Sequence, residues 1–148
     1  MAIYTDVFLA PEAELQAARL ETAHPSNYFP TVSAKNCTEF EFAKLEAILE
    51  GQDPYTLLDE RLRAFALIQE YENCWVYQLP DRLAKMLADL TFSEAENTAN
   101  IWAHTEELRP RDGRPVDSSS LREYLQQVAQ LAMRAQQEGK RLYLWIGV

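Results

Sequence analysis

His104 has the polar neighbours that a general base needs. If the surrounding stretch is helical, one face carries four polar residues spaced by three, four and three positions. These residues are Asn97, Asn100, His104 and Glu107. In an enzyme, the carboxylate of Glu107 would raise the pKa of the imidazole, and His104 would accept a proton from the substrate. The other interpretation is a solvated helix face that carries a surface histidine. His104 and Glu107 are therefore catalytic candidates only if the chain is an enzyme.

Several other catalytic motifs are absent from the sequence. The four glycines stand far apart, whereas phosphate-binding loops need glycines close together so that backbone N–H groups can reach the anion. No G-x-S-x-G elbow for a nucleophilic serine is present, and the serines at 118–120 suit a helix cap. We therefore expect neither a glycine-loop nucleotide fold nor a serine hydrolase with this elbow.

Histidine and cysteine are too scarce for a typical transition-metal site. The chain has two of each, and they are widely separated: His24, His104, Cys37 and Cys74. A tetrahedral site needs three or four converging donors, and no acidic run resembles a calcium loop. We expect no metal, no cofactor and two reduced, partly buried thiols. A catalytic cysteine–histidine pair would require a meeting in space that the spacing does not specify.

Three short segments alternate between aliphatic and aromatic side chains, and they cover residues 3–9, 74–79 and 141–146. Side chains of a strand alternate between two faces. We therefore expect these segments to be strands of one sheet that has an aliphatic face and an aromatic face. The aromatic face would carry Tyr4, Phe8, Trp75, Tyr77, Tyr143 and Trp145.

Two roles are open for the aromatic face. Helices can cover it as a second core layer, or it can remain open as a docking surface, because large exposed aromatic patches promote association. The loop over 24–30 also mixes polar and aromatic groups, as binding loops do. A second loop, at 109–114, holds three arginines that either grip an anion or are simply solvated. The candidate binding residues are Tyr28, Trp75, Tyr77, Tyr143 and Trp145.

Two capping boxes mark the starts of helices. Thr38 with Glu41 has the required spacing, and so does Ser93 with Glu96. The first box predicts a helix that ends near residue 51. The second predicts a helix that continues to about residue 108, through the His104 stripe.

The remaining helices are indicated by chain breakers and apolar periodicity. They cover residues 11–22, a stretch from 56 towards 68 whose end is ambiguous with a strand, and a short segment after Pro80. The longest helix is capped by Ser118 or Ser119 and ended by Gly139. We expect one α+β domain over residues 1–148. In it, a small central sheet of three or four strands, including the N- and C-terminal strands, packs with about six helices.

The net charge of −9 is concentrated in the first half of the chain. Residues 1–74 carry 13 acidic and 5 basic residues, which gives −8, whereas residues 75–148 carry 10 and 9, which gives −1. Nucleic acids and anionic membranes bind clustered lysine and arginine, so neither is an expected partner. The charge favours solubility, or attraction to a basic protein surface. Without a signal peptide or a long apolar run, we expect the cytoplasm.

Two functional hypotheses remain. The preferred one is a non-catalytic cytosolic domain that binds another protein through the aromatic sheet face or the acidic N-terminal half. The alternative is a small enzyme or small-ligand-binding domain with a polar pocket around His104. Convergence of His104, Tyr28 and Trp75 around a cavity would favour this alternative. The sequence specifies neither the identity of a partner nor the oligomeric state.

Overall fold

One antiparallel sheet organises the described chain, and the two terminal strands are neighbours within it. The computed structural model describes residues 3–21, 23–105 and 117–148. The strands are β1 (Tyr4–Ala10), β2 (Thr31–Lys35), β3 (Ala66–Glu70), β4 (Cys74–Gln78) and β5 (Arg141–Gly147). Their order across the sheet is β2-β1-β5-β4-β3. β1 and β5 pair along their whole lengths, so both ends of the described chain lie in the middle of the sheet.

The α+β class is confirmed, but the sheet has five strands rather than three or four. The two strands that were hard to predict, β2 and β3, lie at the edges. β2 directly follows Pro30 and has the short sequence TVSAK, which lacks the aliphatic–aromatic contrast of the central strands. β3 resolves the ambiguous end of the 56–68 stretch, and its Leu67 and Ile68 are exposed. An edge strand pairs on one side only, so it tolerates a flanking proline and weak apolar patterning.

Six α-helices and one 3₁₀ turn connect the strands in the described residues. They are α1 (Glu12–Leu15), the 3₁₀ turn (Pro25–Asn27), α2 (Glu39–Leu49), α3 (Leu58–Arg63), α4 (Asp81–Ala88), α5 (Phe92–Trp102) and α6 (Ser118–Glu138). The helix expected over 11–22 is only a single turn. The buried side chains of this stretch are Leu15, Ala18 and Leu20. Their spacing of three and two positions suits successive turns that lie on the sheet. Within the described ranges, no helix is both long and apolar enough to cross a bilayer.

The capping residues fix where the helices begin. The Thr38–Glu41 box at the start of α2 is confirmed, and Glu41 accepts a 2.7 Å hydrogen bond from the Thr38 backbone N–H. The second box is Thr91 with Glu94 and not Ser93 with Glu96, so α5 begins at Phe92.

The long helix α6 is capped by Asp117 rather than by Ser118 or Ser119. The Asp117 carboxylate accepts a hydrogen bond from the Ser119 backbone N–H at 3.1 Å. Gly139 ends the helix with φ of +66°, as expected, because this left-handed conformation carries no penalty for glycine.

One face of the sheet packs against α2, α4, α5 and α6 and forms the larger core. Its floor is aliphatic in β1 and β5, which contribute Val7, Leu9, Leu142, Leu144 and Ile146. Trp102 of α5 is fully buried above this floor, and its indole N–H donates to the Glu41 carbonyl at 3.0 Å. This contact fixes α5 against the first turn of α2.

The segment after β1, residues 11–30, covers the opposite face. Leu15, Ala18 and Leu20 pack there against aromatic side chains of β1 and β5. The Phe8 ring stacks on Phe29 and on Tyr143, each with a ring-centre distance of 5.5 Å. The face that carries Phe8, Tyr143 and Trp145 is therefore a second buried core layer, and the single-turn helix α1 and the turns that follow it cover this face.

Candidate functional site

His104 does not lie on the helical stripe that the sequence predicts. α5 ends at Trp102, and exposed His104 follows in a turn. Its Nδ1 atom lies 2.7 Å from the backbone oxygen of Asn100. Glu107 lies outside the described residues, as does the arginine loop at 109–114, so the catalytic pair stays a prediction. His104 lines neither the cavity beside Trp145 nor the one beside Trp75, both described below, and Tyr28 lines neither of them.

The predicted aromatic residues do not share one face of the sheet, so that part of the prediction is wrong. Trp75 lies opposite Ile146, and Tyr77 lies opposite Leu144. Residues directly opposite in an antiparallel pair project to the same side. Trp75 and Tyr77 therefore lie on the aliphatic, helix-covered face. Alternation within β4 was visible in the sequence, but the register that decides which face each side chain joins was not.

Tyr143 and Trp145 lie on the other face, where they are almost completely buried. Their exposed fractions are 1% and 7%. Tyr28 lies at the end of the 3₁₀ turn and is exposed, with its ring 6.1 Å from Phe29. The five predicted binding residues are therefore divided among two faces and a loop. Their proposed roles in binding remain predictions.

A histidine–aspartate pair lies on the face covered by residues 11–30. Nδ1 of His24 is 3.3 Å from a carboxylate oxygen of Asp6, which is 3% exposed. The imidazole also lies against the Trp145 indole, with a centroid separation of 4.7 Å. The Trp145 N–H and the Cys74 thiol both donate to the Leu20 carbonyl, at 3.1 and 3.5 Å. These contacts fasten the 11–30 segment to the sheet.

A cavity of about 300 Å³ adjoins this pair. Its lining includes Tyr4, Leu20, Glu21, Ala23, His24, Asn73, Cys74, Trp145, Gly147 and Val148. From the sequence, His24 was named only as one residue of a loop that mixes polar and aromatic groups. The pairing with Asp6 spans 18 positions and depends on how the loop folds back, so no local spacing could reveal it.

The thiols are poorly suited to nucleophilic chemistry. Both cysteines are free and buried. Burial is the main cause that raises the pKa of Cys37 far above its ordinary value, and burial also raises the pKa of Cys74. Since the thiolate is the reactive form, both side chains behave as small buried apolar groups. Among the described residues, no group of three or more histidine, cysteine or acidic side chains is arranged to hold a metal ion.

A buried arginine joins α2 to α3. Arg61 donates to Glu46 at 2.7 Å, to Glu50 at 2.9 Å and to Gln52 at 2.7 Å. Its Nε–H donates to the Thr56 carbonyl. The neighbouring cavity of about 410 Å³ thus has a guanidinium whose donors are largely engaged within the protein. This network is structural in character.

The feature that best fits binding is an open groove above the helix-covered face, at the end of the sheet where β4 begins. Trp75 and Tyr77 are two positions apart on one side of β4, and the first turn of α2 brings Glu39 and Phe40 beside them. We call this cavity, of about 360 Å³, the aromatic groove. Its lining is Ile3, Thr38, Glu39, Phe40, Trp75, Tyr77, Ile146 and Val148. The Phe40 side chain is 45% exposed, so the groove opens to solvent.

Glu39 brings an unusual carboxylate to the aromatic groove. Its Oε2 atom is buried and has no hydrogen-bond partner in the described part of the chain. Burial is the main reason that the pKa of Glu39 lies above its ordinary value. A hydrogen bond with its own backbone lowers the pKa, and the charge of Glu41 raises it. The pKa of Tyr77 is also raised, first by burial and then by Glu39 and Glu70. No positively charged side chain of the described residues contributes to the pKa of Glu39.

Comparison with known proteins adds little about function. No family model and no curated protein matches this chain. Among solved structures, the chain is similar to YfbM from Escherichia coli, a protein of unknown function. That similarity covers 100% of both chains, with a TM-score of 0.49 and 10% sequence identity.

Proposed function

We propose that this chain is a non-catalytic cytosolic protein-binding domain, and that it docks a basic protein surface at the aromatic groove. The observation that carries the proposal is the combination of Phe40, Trp75 and Tyr77 around an open cavity with Glu39, whose buried Oε2 atom has no hydrogen-bond partner among the described residues. Aromatic side chains supply most of the energy of typical protein interfaces when a partner fills the pocket between them. A carboxylate beside them favours a positively charged partner.

Charge outside the groove supports the same class of partner. The first 74 residues carry a net charge of −8, and they include Glu39 and Phe40 of the groove. This excess of acidic residues favours basic proteins as partners over nucleic acids and anionic membranes. The docking site lies on the face opposite to Tyr143 and Trp145, because the segment after β1 already covers the face that carries these two residues.

The cysteines and His104 support the cytosolic location and the non-catalytic role that we propose. Two free cysteines are compatible with a reducing compartment. The thiols have raised pKa values, and the described neighbours of His104 supply a backbone oxygen rather than a carboxylate. These features support binding rather than turnover.

Affinity capture from the native cell tests this function. The immobilised chain should retain a basic protein, and the retained amount should fall as salt rises from about 50 to about 300 mM, because salt screens exposed charges. Trp75→Ala and Glu39→Lys should each reduce capture at least about tenfold. Phe92→Ala is the matched control, since Phe92 is 68% exposed on α5 and does not line the groove. Capture that survives both groove variants, or that retains only acidic proteins, would contradict the proposal.

The cavity beside His24 favours small-ligand binding as a second candidate function. It is lined mainly by apolar and aromatic groups, with the His24–Asp6 pair at its side, as small-molecule sites commonly are. A screen of uncharged aromatic fragments, followed by the NMR signal of the Trp145 indole, checks it. Binding that disappears in His24→Ala supports this candidate, and the absence of any fragment that shifts Trp145 rejects it.

A further inference from the structure

Three aromatic side chains line the aromatic groove. Phe40, Trp75 and Tyr77 come from two elements, α2 and β4, and line one cavity of about 360 Å³. The face of an aromatic ring carries negative electrostatic potential and attracts positively charged groups. Ile3, Ile146 and Val148 contribute aliphatic surface to the lining, so a cation entering here exchanges part of its contact with water for contact with apolar groups.

The charge of the groove lining also favours a cation as the occupant. Among the described residues, Glu39 is the one side-chain carboxylate that lines the groove, and no lysine, arginine or histidine side chain lines it. The buried Oε2 atom of Glu39 has no hydrogen-bond partner among the described residues. A bound cation would supply the missing positive charge, whereas an anion would meet repulsion.

Hydrogen-bonding capacity separates the candidate cations. A lysine ammonium carries three N–H donors and an arginine guanidinium carries five, and each buried donor without an acceptor costs free energy. The groove offers few side-chain acceptors: Glu39, the Tyr77 hydroxyl and Thr38, which already belongs to the capping box of α2. A quaternary ammonium has no N–H donor, and its methyl groups can lie directly against rings. The lining therefore suits a quaternary ammonium better than either unmodified side chain.

We propose that the aromatic groove holds the trimethylated ammonium group of a modified lysine on the protein partner. This inference rests on the proposed function, which makes the occupant part of a protein. The acidic first half of the chain would then contact basic residues that flank the modified lysine. A free quaternary amine has no such residues, so it binds more weakly.

Small probes measure the preference for charge. Choline and its neutral isostere 3,3-dimethylbutan-1-ol have almost the same shape, so their difference in affinity reports the cation. NMR titration should show choline shifting the Trp75 indole signal, with the isostere about tenfold weaker. Trp75→Phe identifies this signal among the three tryptophans and should weaken choline binding. Glu39→Gln removes the charge at constant shape and should weaken it too. Equal affinity for the two probes would overturn the inference.

A pair of peptides tests the source of the cation. One basic peptide carries trimethyl-lysine and the other carries lysine at the same position. We expect the trimethylated peptide to bind about tenfold more tightly, with Phe92→Ala unchanged and Glu39→Gln weakened. Equal binding of the two peptides overturns the methylation claim while groove-dependent capture of a basic protein still stands. Choline binding as tightly as the trimethylated peptide shows that the occupant is a free small molecule, which overturns the assignment to a protein.

Discussion

Trp145 lies over Gly147 so closely that a side chain at position 147 would displace the indole. A Cβ atom built on Gly147 would be 2.2 Å from the Trp145 ring. The same ring holds Leu20 and His24 against the sheet. Gly147 is therefore needed for a close approach of two groups rather than for an unusual backbone angle. In the sequence it was simply the one glycine without a turn or a helix end to explain it.

Gly147→Ala should destabilise the protein by about 1–3 kcal/mol, because the buried indole must move to admit a methyl group. Urea unfolding measures the loss, and the Trp145 indole N–H signal should shift in the folded variant. Val148→Ala is the control, since Val148 is half-exposed, and its effect should stay within about 0.5 kcal/mol. A Gly147→Ala variant as stable as the wild type would show that the indole has another place to lie.

At the scale of single elements, helix starts show how far local patterns reach. Thr38 with Glu41 was readable because the box is followed by a clear apolar stripe. In α5, Thr91 and Ser93 stand two positions apart, and each has a glutamate three residues later. Local spacing alone does not indicate which of the two is the N-cap. In the folded chain the N-cap is Thr91.

The assignment of the cap predicts different effects for two similar hydroxyl residues. Thr91→Ala should cost about 1 kcal/mol, because the Glu94 backbone N–H loses its acceptor. Ser93→Ala should be close to neutral or slightly stabilising, since position 93 lies inside the helix, where alanine has the higher propensity. Thermal and urea unfolding of both variants measure the difference. The reverse order of stabilities would place the helix start two residues later.

At the scale of the whole molecule, long-range pairings decide what the sequence could not. The α+β class followed from strand-like segments at the start, middle and end with helices between them. The register of β4 against β5 could not be predicted from the sequence. This register places Trp75 and Tyr77 on the face opposite to Tyr143 and Trp145. The aromatic groove also needed α2 to meet β4 across 35 positions, from Phe40 to Trp75. The candidate binding residues Trp75 and Tyr77 were therefore named from the sequence, but their surroundings were not.

The Arg61 network makes global stability depend on pH. The pKa of Glu50 lies below the ordinary value of 4.5, mainly because Glu50 accepts a hydrogen bond from Arg61. The stability that this carboxylate contributes is complete above about pH 4.5, and it is lost as the pH falls through the lower pKa of the folded state. Arg61→Met should cost about 3–5 kcal/mol at neutral pH, because it leaves Glu46 and Glu50 without their buried partner.

Urea unfolding of the wild type and Arg61→Met between about pH 7 and pH 3 measures this dependence. The stability difference between the two proteins should shrink towards acid, because a protonated Glu50 carboxyl no longer forms an ion pair with the guanidinium. Arg134→Met is a matched control, because the Arg134 side chain is 53% exposed, and its small effect should change little with pH. A difference that stays constant or grows in acid would contradict the role given to Arg61.

The antiparallel pairing of β1 with β5 brings Ile3 and Val148 to the same rim of the aromatic groove. A linker joined directly next to Ile3 or Val148 would consequently start at this rim and compete with a partner for the opening. Immobilisation through an exposed position that does not line the groove, such as Met133 on α6 replaced by cysteine, leaves the opening clear. Negative results obtained with terminal fusions would say more about the fusion than about the domain.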